Sequence, residues 1–148
     1  MEKMEKTEIN LLTFLLENSR IEEIRISLQL EQPGKLAKAL PVLQTLKNSF
    51  VKKGELTPVQ SIAAVTEEKI AVTSEDLKKI ATVNLKRKHF RSAAQAAALL
   101  TIGQSNGLRQ KILDGAVKKA HQEKGHPLFA QNATYVMETL FPNKTLIL

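Results

Sequence analysis

Cysteine is absent from this 148-residue chain, and so is tryptophan. The first absence excludes a disulfide scaffold, a thiolate metal site and a cysteine nucleophile together. Aromatic residues make up only 4% of the chain, one tyrosine and five phenylalanines, so a core has to be built from aliphatic side chains. No apolar run approaches the ~20 residues of a membrane-spanning helix, because the longest apolar region, residues 93–102, is broken by Gln95 and Thr101. A secretory leader is not expected either, since the apolar stretch from Ile9 to Leu16 is short and follows a start of mixed charge, Met1-Glu2-Lys3-Met4-Glu5-Lys6. These absences leave a cytoplasmic protein with no membrane partner as the expectation.

What is present fits one globular domain. A chain of this length buries ~70% of the surface its unfolded form exposes and needs no covalent staple. Hydrophobic residues at 43% and charged residues at 25% are ordinary for such a domain.

Apolar residues recur at intervals of three and four from the first turn onward, the period of a helix with one buried face. Ile9, Leu12 and Leu16 with Leu11 and Leu15 predict a helix capped by Thr7 and ending near Asn18-Ser19. The segment Ile24-Arg-Ile26-Ser-Leu28-Gln-Leu30 alternates strictly and fits a short strand, which would need a partner such as Thr145 to Leu148 or another copy of the chain. Ile21, Ile24 and Leu28 also fit helical spacing, and helix is placed ahead of strand. Gln32-Pro33-Gly34 reads as a turn before a helix over 35–50, in which Pro41 predicts a kink. Thr57-Pro58 opens a short helix to about Val65.

Thr73 or Ser74 caps the next helix, with Glu75 and Asp76 in its first turn and an apolar face of Leu77, Ile80, Ala81 and Leu85 reaching about Phe90. An alanine-rich helix over 92–102 follows, small enough in its side chains to sit centrally. Gly103-Gln-Ser-Asn-Gly107 is expected to interrupt it, a further helix runs from Leu108 to Gly125-His126-Pro127, and a last one covers about 129–141 before Pro142. The expected fold is all-α, a single-domain bundle of about six to seven helices across 1–148, with one short strand near 24–30 as the alternative for that segment.

The charge is uneven. There are 22 basic and 15 acidic residues, a net +7 with a pI near 9.7, which points to a polyanionic partner. Residues 1–32 are acidic, with four bases and seven acids, whereas between Lys78 and Gln122 ten bases stand against one acid, Asp114. The candidate nucleic-acid-binding residues within the basic part, 74–124, are Lys78, Lys79, Lys86, Arg87, Lys88, Arg91, Arg109, Lys111, Lys118 and Lys119. Phosphates attract such groups and binding releases condensed counterions. The bland reading is a solvated helical face, and it has support, because three consecutive residues such as 86–88 point ~100° apart on a helix and cannot all meet one ligand.

Residues 92–112 also invite comparison with a DNA-reading helix-turn-helix. In that reading a turn at Gly103–Gly107 leads to a short helix offering Gln104, Ser105, Asn106, Arg109 and Gln110 to base edges. The second glycine falls where that helix should begin, which favours two packed helices joined by a polar loop. A phosphate-cradling loop would want Gly-Lys-Ser or Gly-Lys-Thr, and Leu108-Arg109 follow instead. His121, Glu123 and His126 are spaced too irregularly for a metal site, and His89 lies among cations. Glu67-Glu68 and Glu75-Asp76 read as surface and cap acids, and Asp114 as an ion-pair partner of Lys111 and Lys118.

No catalytic set, metal or cofactor is therefore expected. The chain reads as a non-enzymatic nucleic-acid-binding protein that contacts phosphates through a basic helical surface. The alternative is a helical adaptor or assembly protein that binds a protein partner or itself as a homo-oligomer, with the apolar tail Leu146-Ile147-Leu148 as a candidate contact.

Overall fold

Apolar residues three and four apart become the buried sides of eight helices within residues 4–146, the part of the chain that the computed structural model describes. They are α1 (Lys6–Glu17), α2 (Ile21–Leu28), α3 (Lys35–Lys53), α4 (Leu56–Val65), α5 (Ser74–Lys86), α6 (Phe90–Ala97), α7 (Ile102–Gln122) and α8 (Pro127–Leu140). The all-α expectation holds, and the described residues contain no strand. None of these helices is long and apolar enough to cross a membrane. The chain divides into two compact units, one ending at Thr73 and one beginning at Ser74.

In the first unit α4 packs against α1, α2 and α3. Leu12, Leu16, Ile24, Leu43, Phe50 and Ile62 are its most deeply buried large side chains. The alternating segment 24–30 is helical, as the spacing of Ile21, Ile24 and Leu28 requires. A strand would have set Ile24 and Ile26 on one face, whereas Ile24 is fully buried and Ile26 is 70% exposed. Of the strand's suggested partner, residues 147 and 148 lie outside the described residues. Pro41 sits inside α3 and the helix continues through it to Lys53. Lys47 is buried, and its ammonium donates to the Ala71 carbonyl at 2.9 Å, fastening the chain beyond α4 to α3.

In the second unit the alanine-rich α6 is central. It packs against α5, α7 and α8, and Ala93, Ala94, Ala96 and Ala97 have no exposed surface. Methyl-sized side chains allow these backbones to approach closely, so the burial is dense although each residue contributes little area.

The boundaries here differ from the sequence reading. α5 stops at Lys86, four residues before Phe90, and α6 ends at Ala97. The interruption expected at Gly103–Gly107 does not exist, for these residues form the first turns of α7. The cause is a capping box. Thr101 Oγ1 accepts from the Gln104 amide at 3.2 Å and Gln104 Oε1 accepts from the Thr101 amide at 3.1 Å. These bonds satisfy two end groups and start the helix ahead of both glycines.

Candidate nucleic-acid interface

The ten candidate cations fall into three environments. Arg109 belongs to the interior. It is 8% exposed, and its guanidinium donates to Ser105 Oγ (2.7 Å), the Leu140 carbonyl (2.8 Å), the Leu100 carbonyl (3.1 Å) and the Ala97 carbonyl (3.5 Å). Ala97 and Leu140 are the last residues of α6 and α8. Carbonyls at helix C-termini lack intrahelical donors and carry the negative end of the helix dipole. One planar cation therefore satisfies the ends of two helices, and its side chain is not available to read bases. The helix-turn-helix assignment of Arg109, and its turn at 103–107, are both corrected by this geometry.

A second group is tied to local partners. Lys78 lies 3.6 Å from Glu75 on α5. Lys119 is half-buried, 3.4 Å from Glu123 and with its ammonium 5.1 Å from the Phe129 ring centre. Neither is a free surface cation.

The remaining seven are exposed, Lys79, Lys86, Arg87, Lys88, Arg91, Lys111 and Lys118, and of these Arg87 and Arg91 also have partners within the fold. Lys79 and Lys86 are two turns apart on the solvent side of α5, about 10 Å along its axis. Arg87 and Lys88 form the α5–α6 corner. There the chain reverses through Lys88, whose φ of 62° is left-handed, while the amides of Lys88 and His89 return to the carbonyls of Leu85 (3.0 Å) and Asn84 (2.9 Å). This turn explains why 86–88 need not splay as they would on a continuous helix.

The corner also meets α7. A Cβ added to Gly115 would lie 2.8 Å from Phe90 Cε1 and 3.6 Å from Leu85 Cδ1, so the absent side chain is what lets these two residues seat there. Leu85 and Phe90 bracket residues 86–89. Lys111 and Lys118 stand four residues before and three residues after Gly115, within about one turn on its solvent side. Two basic segments far apart in sequence are thus brought to one contact. The corner leads into α6, where His89 supplies no side-chain cap and Arg91 occupies the first turn.

Asp114 lies among these lysines and accepts from Gln110 Nε2 at 2.8 Å, in place of the expected ion pairs. The described residues contain no group of three or more His, Asp or Glu side chains placed to hold a metal.

The sequence reading missed Tyr135 and Asn132 on α8. Arg91 lies over the Tyr135 ring, 4.7 Å from its centre, and donates from Nε to Asn132 Oδ1 at 2.6 Å, while Gln95 donates to the Tyr135 hydroxyl at 3.1 Å. The only sequence signal was the uniqueness of that tyrosine. No family model, curated protein or solved structure matches the chain, so its functional reading rests on its own residues.

Proposed function

We propose that this is a non-enzymatic nucleic-acid-binding protein that holds phosphates on the exposed cations of its second unit. The supporting observation is the close approach of Gly115 to Leu85 and Phe90, which sets α7, the helix bearing Lys111 and Lys118, against the corner that bears Lys86, Arg87 and Lys88. Cations clustered in this way suit a polyanion, because each neutralised phosphate releases condensed counterion. Arg109 takes no part, and Lys78 and Lys119 contribute less than their charge suggests because local partners already hold them.

The test is affinity for a short duplex and its single strand as a function of salt. The log-log slope should be about −0.9 per contacted phosphate on duplex DNA. Neutralising Lys88 and Lys111 together should reduce it by roughly two. Absence of binding at ~50 mM salt, where screening is weak, defeats the reading.

A second reading is a helical adaptor or assembly protein that self-associates or binds a protein partner. It is favoured by Leu11 and Phe14, three residues apart on α1 and 52% and 53% exposed. In that case complex formation or self-association should be nearly insensitive to salt. The tail candidate for this role, Leu146 to Leu148, falls partly outside the described residues.

A further inference from the structure

We propose that the Arg91–Tyr135 pair is a stacking platform for a nucleobase, and that the nucleic acid this protein takes is single-stranded. The inference rests on the phosphate-binding reading and names the substrate class for the same surface. Arg91 follows the basic corner directly and stays exposed, yet its side chain is fixed by the ring beneath it and the hydrogen bond to Asn132. An exposed arginine ordinarily keeps its rotamer freedom, and here that freedom is already lost before any ligand arrives. A flat, oriented guanidinium over an aromatic ring is the surface on which an unpaired base stacks.

Two other rings of the second unit carry cations, Phe129 under Lys119 and Phe141 under Lys144. Ammonium groups are points, not planes, and offer no such face. Gln95 and Asn132 border the platform with amide groups suited to a base edge. A duplex keeps its bases stacked within and presents none to this surface, whereas a single strand can lay phosphates on the corner and turn a base onto Arg91.

Tyr135 is the only tyrosine and the chain has no tryptophan, so intrinsic fluorescence reports this ring almost alone. The full chain is titrated at low salt with single-stranded oligodeoxyadenylate, its ribo counterpart and the duplex of the same sequence. Tyrosine emission and the anisotropy of a labelled probe are read separately. Quenching is expected from single strands and little or none from the duplex. Quenching by one sugar form more than the other identifies which strand is preferred.

Arg91→Lys keeps the charge and removes the plane, so it should weaken single-strand binding about tenfold, the scale of one stacked base, and weaken duplex binding far less. Binding seen by anisotropy without quenching, or equal weakening of both probes, overturns the platform and leaves the phosphate reading intact. Loss of salt-sensitive binding to every probe overturns the phosphate reading itself. The quenching measurement uses the natural sequence and stands however the variant folds.

Discussion

Arg109 is the side chain on which the second unit most depends. Removing it leaves the Leu140 and Leu100 carbonyls buried without their donor, and each such group costs about 1–3 kcal/mol. Arg109→Ala should therefore lower unfolding free energy on the order of 3 kcal/mol in a denaturant titration. Arg109→Lys should recover only part, since one ammonium cannot span acceptors that the guanidinium fork reaches together. Whatever remains folded should keep the wild-type salt slope, which separates a structural arginine from a ligand-contacting one. Lys88 behaves in the opposite sense. It holds a left-handed φ of 62°, which costs a side-chain-bearing residue ~1 kcal/mol or more, while glycine adopts it freely but loses more entropy on folding. Lys88→Gly should gain about 0.5 kcal/mol in thermal or chemical melts and yet shorten the salt slope by about 0.9. Stability rising as binding falls is a result that a purely structural role for Lys88 does not allow.

The helices show which signals can be trusted. Glycines 103 and 107 suggested a loop, but both lie within α7 with open space around the missing Cβ and no positive φ. Gly103→Ala and Gly107→Ala should each stabilise by roughly 1 kcal/mol, the helix propensity difference. A loop would show no such gain. Gly115→Ala on the same helix should destabilise by ~1–3 kcal/mol, because the new methyl meets the buried Phe90 ring at 2.8 Å. It should also weaken nucleic-acid binding by parting the two basic segments. The existence of the helices was legible because burial on one face imposes its period on the sequence. Their ends were less so. Four left-handed helix ends use Ser19, Gln29, Glu67 with Glu68, and Lys88 where glycine is the recognisable stop, whereas Gly54 at the end of α3 follows the rule. Two returning backbone hydrogen bonds at each end outweigh the strain, and backbone bonds leave no mark in a sequence. The T-x-x-Q signal at Thr101-Gln104 was present and was overshadowed by the glycines after it. For the same reason the cations were visible while the burial of Arg109 was not: its main partners are carbonyls, one of them 31 residues away.

Across the whole chain, charge and architecture share a boundary. Residues 1–73 carry ten basic and ten acidic groups, whereas residues 74–148 carry twelve and five, so the entire excess of +7 belongs to the second unit. The acidity of residues 1–32 is offset within the first unit by the five lysines of α3, and Glu55, Glu67, Glu68 and Lys69 bring the balance to zero. A net charge of this size could act in two ways. It could raise encounter with any polyanion through the general field, or it could mark discrete phosphate contacts. Charges beyond a Debye length of ~8–10 Å are largely screened at ordinary salt, so only cations at the contact enter the counterion slope. Two double variants separate these possibilities at identical net charge. Lys38→Gln with Lys52→Gln removes two exposed cations from the first unit, and Lys86→Gln with Lys111→Gln removes two from the α5–α6 corner and α7. The second pair should reduce the slope on duplex DNA by roughly two, and the first should leave it unchanged. Equal loss from both pairs would show that the protein attracts nucleic acid only as a diffuse positive body. That result would remove the corner from the functional account and leave protein docking, through surfaces such as Leu11 and Phe14, as the better explanation of the fold.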